Sequence, residues 1–241
     1  MSQPDLSVVF PAYNEAENLP ELVREIRAAL DPTGWSYEIV AVDDGSTDPT
    51  PQVLAELRKS SPALRVLRME KNGGQSAALD AGWRAARGEY VVNLDADLQN
   101  DPADIPGMFR RLLDERVDMV IGVRVDRQDS RWKKIQSKIG NGVRNWITGD
   151  RITDTGCSLK LARRACLTPL KPFTGMHRFL PTLLRLEGFR VIEMPVRHRP
   201  RRFGTTKYGA ANRALRGLAD CLAVRWMARR HVRYRVMEEE R

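Results

Sequence analysis

Apolar and polar positions follow two rhythms along the first half of the chain. Leu6 to Phe10 is a short, largely apolar run that suits one buried strand. After a polar turn, Leu19, Leu22, Val23, Ile26 and Leu30 recur at helical spacing. The pattern then repeats. Glu38 to Val42 predicts a second strand, and Asp48 to Leu57 a helix with Asp48 as its N-cap. Leu64 to Leu67 predicts a third strand, followed by an Ala-rich helix over Gln75 to Ala86 that Gly88 stops. Glu89 to Leu94 predicts a fourth strand, Asp104 to Asp114 a helix, and Met119 to Val123 a fifth strand. Strands alternating with helices over short links imply an α/β fold: a mostly parallel, twisted sheet with helices on both faces.

The second half is less regular. Trp132, Ile135, Ile139, Val143 and Trp146 fall at helical spacing, with Lys133, Lys134, Lys138 and Arg144 among them. Ser158 to Leu161 predicts a strand, Arg178 to Leu186 a helix, and Phe189 to Val196 a strand. The basic loop RHRPRRFGTTKYG leads into a last helix from about Tyr208, expected to end or bend near Ala228. Its apolar stripe comprises Tyr208, Ala211, Leu215, Leu218, Leu222 and Trp226. Core packing is the ordinary reading of such a stripe. The arginines around it favour a helix lying in a membrane interface.

In open parallel sheets the ligand lies beyond the carboxyl ends of the strands. Polar, unusual sequence gathers there after every predicted strand: PAYNE at 11–15, DDGSTD at 43–48, NGGQ at 72–75, DADLQ at 95–99 and GVR at 122–124. One shared site is the simplest reading. It lacks GxGxxG and GxxxxGK[ST], so neither a dinucleotide fingerprint nor a P-loop is present. Asp95 and Asp97, with an oxygen of Gln99, form an open oxygen set for a hard divalent cation, Mg2+ or Mn2+. The ordinary reading is a solvated turn with capping acids. The shared edge, with Asp43 and Asp44 nearby, favours the metal. Asp43 suits a ribose or base edge, while Asp44 and Ser46 order their loop. Tyr13 suits a stacked base and Glu15 a ribose hydroxyl, although a lone Tyr after a strand is more often packing.

Composition adds a partner class. The 241 residues carry a formal net charge of +9, and from Arg197 to Arg235 the only acid is Asp220. An anionic partner follows: a phosphorylated ligand, an anionic lipid surface or nucleic acid. Three scattered cysteines without CxxC spacing suggest reduced thiols in a cytoplasmic protein. No signal peptide precedes the first strand, and no run of about 18 apolar residues could span a bilayer.

The ordered set PAYNE, VDDGSTD, NGGQSAALDAG, DADLQ, GxR and RxxGTTK resembles glycosyltransferase family 2. Within that family it resembles the dolichol- or undecaprenyl-phosphate sugar transferases. The resemblance covers about Leu6 to Trp226. It implies a GT-A, Rossmann-like domain over residues 1–207, followed by a C-terminal amphipathic basic helix and tail over 208–241. It also implies a nucleotide-sugar donor bound through a DxD-held metal, and transfer with inversion. Carried over by position, Pro11, Ala12, Tyr13, Glu15 and Asp43 contact the nucleoside, with Asp44 beside them. Gln75 and Ala96 line the diphosphate region, and Asp95, Asp97 and Gln99 hold the metal. Arg124, Lys133, Lys134 and Ser137 hold an acceptor phosphate, with Lys where Arg is more usual. Arg201 and Lys207 clamp the donor diphosphate. Asp154 sits at the place of a catalytic Asp.

The acceptor so implied is a polyprenyl phosphate, reached from the inner face of the cell membrane by a peripheral protein. Relatives often continue into transmembrane helices where this sequence reads VMEEER, so a separate integral membrane protein is a further expected partner. Two alternatives remain. One is a family 2 transferase acting on a sugar hydroxyl of a glycan. The other is a basic nucleic-acid-binding module, disfavoured because the basic loop has little aromatic interleaving.

Overall fold

The computed structural model describes residues 3–125, 131–200 and 210–232, with the side chains of 131–138 and 210–216 outside the description. Its centre is β1 (Leu6–Ala12), flanked by parallel β2 (Tyr37–Asp43) and β4 (Tyr90–Asn93). β3 (Leu64–Arg68) extends the sheet beyond β2. On the other side β6 (Lys160–Arg163) lies antiparallel between β4 and β5 (Met119–Arg124). β7 (Val191–Val196) then closes the sheet parallel to β5, giving the order β3-β2-β1-β4-β6-β5-β7. The expected mostly parallel α/β sheet is present, and β6 alone among these strands runs against the rest.

The period-2 alternation of β1 explains the two cores. Leu6, Val8 and Phe10 face one cluster, with α1 (Leu19–Leu30), α2 (Thr50–Ser60) and α4 (Ile105–Asp114). Val9 faces the other, with α3 (Gln75–Ala85), α6 (Arg164–Leu167), α7 (Leu180–Leu186) and α8 (Ala210–Arg230). α5 (Arg131–Thr148) packs beside α8, and Arg225 of α8 donates to the Ile147 carbonyl at 2.8 Å. Cys221 and Val224 of α8 lie in the second core.

Several element ends differ from the sequence expectation. Asp48 does not cap α2, whose N-cap is Pro49; from one residue before that N-cap its carboxylate accepts from the Thr50 amide at 2.9 Å. The helix expected from Asp104 begins as a short 3-10 turn over Pro102–Asp104, capped by Asp101, before α4. The strand expected over Ser158 to Leu161 is shifted to Lys160–Arg163. α8 runs through Ala228 to Arg230, because its arginines there meet solvent rather than a core. Tyr208, Ala211 and Leu215 lie outside the described side chains, but Leu218, Leu222 and Trp226 are exposed. Their stripe is therefore not core packing. Among the described residues the three cysteines are free and buried, and no helix is long and apolar enough to cross a membrane.

Candidate active site

The carboxyl ends of β1, β2, β4 and β5 place four polar loops along one edge. The loop after β1 is pinned to the loop after β2. Asn14, in the left-handed region at φ 55°, donates its amide to Ser46 Oγ at 3.0 Å, and its side-chain oxygen accepts from the Thr47 amide at 2.8 Å. Such strain in a non-glycine residue persists only where surrounding bonds enforce it. The Glu15 amide donates to Thr50 Oγ1 at 2.9 Å, and the Glu15 carboxylate accepts from Asn18 Nδ2 at 2.6 Å. Pro11 and the fully buried Ala12 end β1, and Tyr13 opens the loop that follows.

Asp43 and Asp44 do different jobs. Asp44 accepts from the Gly73 and Gly74 amides at 2.7 and 3.0 Å, so it orders the loop ahead of α3. Burial outweighs those two hydrogen bonds and leaves its pKa above the ordinary carboxylate range. Gly45, at φ 68°, lets this loop touch the next one: a Cβ there would lie 2.6 Å from the Asn72 nitrogen. Asp43 Oδ1 accepts from the Ser46 amide at 2.9 Å. Among the described residues its buried Oδ2 has no hydrogen-bond partner, and the Arg68 guanidinium is 3.6 Å away. An unsatisfied buried carboxylate oxygen is costly. It suits a ligand hydroxyl or N–H.

After β4, the DADLQ turn is held by Leu98. This leucine adopts φ 60° and is buried in the first core, so packing offsets its backbone strain. Asp95 Oδ1 accepts from Gln75 Nε2 at 2.7 Å, joining the α3 N-terminus to the candidate metal loop; Ala96 is buried between the two aspartates. Asp97 Oδ1 accepts from the Gln99 amide at 3.2 Å. The Gln99 carbonyl accepts from the Arg199 amide at 2.8 Å, which leaves its second lone pair and the side-chain oxygen as candidate ligands. Asp101 serves elsewhere: Arg197 and Arg199 reach it at 3.1 and 2.7 Å.

Because β6 is antiparallel, its start lies at this same edge and brings the loop before it. Lys160 is the register partner of Asn93 on β4 and of Ile121 on β5. Asp154 thereby meets the end of β5. Arg124 Nε and Nη2 donate to Asp154 Oδ2 and Oδ1 at 2.7 and 2.9 Å, a bidentate pair. The residues assigned separately to acceptor phosphate and to catalysis are thus one ion pair. Gly156 leaves room for it, since a Cβ there would be 2.8 Å from Arg124 Nη2. Lys133, Lys134 and Ser137 fall on α5, with side chains outside the description; Arg201 and Lys207 lie outside the described residues.

Among the described residues no three His, Cys, Asp or Glu side chains gather closely enough to hold a metal unaided. Asp95, Asp97 and an oxygen of Gln99 still fit a hard cation whose other ligands would be waters and a diphosphate. Sequence reasoning missed Lys160, buried at the start of β6 between β4 and β5. A lysine inside the otherwise apolar stretch LKLA was its one signal.

Comparison with known proteins places the chain in a family and its fold among solved structures. The model of the Glycosyl transferase family 2 domain matches residues 7–167. A dodecaprenyl-phosphate galacturonate synthase of Rhizobium johnstonii is 38% identical over 93% of this chain and 68% of its own. An undecaprenyl-phosphate 4-deoxy-4-formamido-L-arabinose transferase of Edwardsiella ictaluri is 39% identical over 85% of this chain and 63% of its own. The chain thus spans about two thirds of the length of these relatives. The solved mannosyltransferase of Pyrobaculum calidifontis, in complex with GDP-Man and Mn2+, superposes with a TM-score of 0.67 at 24% identity. It covers 97% of this chain and 66% of its own. Glucosyl-3-phosphoglycerate synthase of Mycobacterium tuberculosis, with Mn2+ and UDP-glucose, reaches 0.69 at 22% identity over 91% and 80%. The shared fold is the GT-A type.

Proposed function

The chain belongs to glycosyl transferase family 2, and from that premise we propose that it moves a hexose-type sugar from a nucleoside-diphosphate donor to a polyprenyl phosphate. One observation carries the reading. Asp43, the Gln75–Asp95 pair, Asp97 and the Arg124–Asp154 pair converge on one sheet edge from five separate stretches of sequence.

The roles follow from charge. Asp43 Oδ2 accepts from the nucleoside, with Tyr13 and Glu15 in the adjoining loop. Asp95, Asp97 and Gln99 hold Mg2+ or Mn2+, which when bound neutralises the departing diphosphate. Gln75 fixes the Asp95 carboxylate. Arg201 and Lys207, from the basic loop, add positive charge where the leaving group gains negative charge. The acceptor oxygen is already anionic at pH 7, so no strong general base is required. Asp154 therefore orients Arg124, whose guanidinium is thereby positioned to hold the acceptor phosphate. Lys133, Lys134 and Ser137 on α5 continue that anionic site. Attack on the face opposite the leaving group inverts the anomeric carbon.

The two relatives at 38% and 39% identity bear names of polyprenyl-phosphate sugar transferases, which supports this acceptor over a glycan hydroxyl. A lipid acceptor places the protein at a membrane, here as a peripheral protein on the cytoplasmic face, beside any integral partner. The test is transfer to undecaprenyl phosphate in vesicles from a panel of UDP- and GDP-sugars with Mn2+. A glycolipid formed from one donor, and abolished by chelator, supports the reading. Transfer only to a free oligosaccharide, or undiminished transfer in excess chelator, would overturn it.

A further inference from the structure

Asp154 stands in a loop whose residues are tied down one by one. Asp154 and Thr155 are buried, between exposed Thr153 and Gly156. Side chains from β7 and α5 grip this stretch. Glu193 of β7 takes Thr153 with both carboxylate oxygens: Oε1 accepts from the Thr153 amide at 2.7 Å, and Oε2 from its hydroxyl at 2.8 Å. Asn145 of α5 donates to the Ile152 carbonyl at 2.9 Å. Asn141, one turn earlier on α5, straddles Asp154. Its Nδ2 donates to the Thr153 carbonyl at 2.8 Å, and its Oδ1 accepts from the buried Thr155 hydroxyl at 3.2 Å. The first bond needs an N–H and the second a lone pair, and a side-chain amide supplies both.

Neither Asn141 nor Thr155 has a role in the functional reading above. Their bonds bear on it through what lies at either end. Arg124, which Asp154 holds by both oxygens, comes from the end of β5. Lys133, Lys134 and Ser137 come from α5, with Ser137 one turn before Asn141. The acceptor site of that reading is thus split between a strand end and a helix. Resting on it, we infer that Asn141 is a positioning residue for the acceptor: it fixes Asp154, and through it Arg124, in register with the phosphate-binding residues of α5. Glu193 and Asn145 already staple the loop at Thr153 and Ile152. Asn141 adds the hold at Thr155, on the far side of Asp154.

Two substitutions test the contact from its two ends. Asn141→Ala removes both bonds, and Thr155→Val replaces the hydroxyl by a methyl group. Each variant, and the pair combined, is compared with wild type for kcat/KM toward undecaprenyl phosphate in vesicles and for the KM of the sugar nucleotide. The thermal shift given by nucleoside diphosphate with Mn2+ is measured beside them. Asn141→Ala should lose on the order of 100-fold in kcat/KM toward the lipid, the usual cost of a misplaced group at a reacting centre. Its donor KM and nucleotide shift should stay close to wild type. Thr155→Val should show a smaller loss of the same kind. The double variant should lose no more than Asn141→Ala, because both changes act through one contact. Wild-type acceptor kinetics in Asn141→Ala would overturn the inference while the functional reading stood. So would equal losses toward donor and acceptor, losses that multiply in the double variant, or an Asn141→Ala chain that fails to fold, since each makes Asn141 a staple of the loop. A wild-type chain that transfers to no acceptor would remove the functional reading, and this inference with it.

Discussion

Glu38 sits near the amino end of β2, away from the candidate site, and its carboxylate is fully engaged. Oε1 accepts from Ser7 Oγ at 2.7 Å and from the Arg87 amide at 2.6 Å, and Oε2 accepts from Arg65 at 2.5 Å. Burial alone would raise its pKa; those bonds outweigh burial and leave it lowered. The sign follows. A lowered folded pKa adds stability above the unfolded value, and that stability is lost as pH falls through the folded one. Glu38→Gln should cost about 1–3 kcal/mol at pH 7. Urea unfolding at pH 7 and at pH 3 should show the gap between variant and wild type closing at the acid end. An equal gap at both would contradict the ionic account. Single residues such as Asp43 and Asp97 were legible in the sequence because acids at the ends of apolar strands demand a reason. Lys160 was not, because its burial follows only from its place between β4 and β5 in the sheet.

At the scale of elements, α3 packs its backbone directly on the sheet. A Cβ at Gly82 would lie 2.3 Å from Val9 Cγ1 and 3.2 Å from Val42 Cγ2, both in the second core. Gly82→Ala therefore forces the helix off β1, at about 1–3 kcal/mol for overpacking. Because Gln75 opens the same helix and holds Asp95, the shift should also weaken metal–nucleotide binding. A thermal melt and a nucleotide titration of the variant read both effects; an unchanged melt would show that the helix has room to move. The first five strands and their helices were readable from periodicity, since each is a local pattern. β6 was readable as a strand but not as the antiparallel intruder between β4 and β5. Its direction is set by pairing with residues far earlier in the chain, from Tyr90 with Arg163 to Asn93 with Lys160. The path of Asp154 to Arg124 depended on that direction.

At the scale of the whole molecule, the apolar residues left outside both cores concentrate on α5 and α8. Ile139, Val143 and Trp146 on α5 and Leu218, Leu222 and Trp226 on α8 are exposed, Trp146 at 83% and Trp226 at 63%. Basic residues accompany them at Arg225, Arg229 and Arg230. Tryptophan with arginine on packed helices suits an interfacial surface, and we propose that anionic headgroups draw this face, with the net charge of +9 behind it. Trp146→Glu combined with Trp226→Glu should abolish cosedimentation with vesicles containing phosphatidylglycerol. The melting temperature should stay put, because neither ring is buried. Wild-type protein that ignores such vesicles at low salt would contradict the surface assignment. The amphipathic pattern of both helices was visible in sequence, but its exposure was not: the same stripe serves a core equally well.

The central claim is that a divalent ion and a nucleoside diphosphate complete the edge where Asp95 and Asp97 stand. The most direct test is a thermal-shift titration of wild type and Asp97→Asn with UDP, GDP, CDP and dTDP, with and without Mn2+ or Mg2+. A ligand at about 100 times its Kd adds about 2.7 kcal/mol. One nucleotide should stabilise the wild type only when metal is present, and should leave Asp97→Asn unmoved although that variant is folded. Equal stabilisation without metal, or in Asp97→Asn, would contradict the claim.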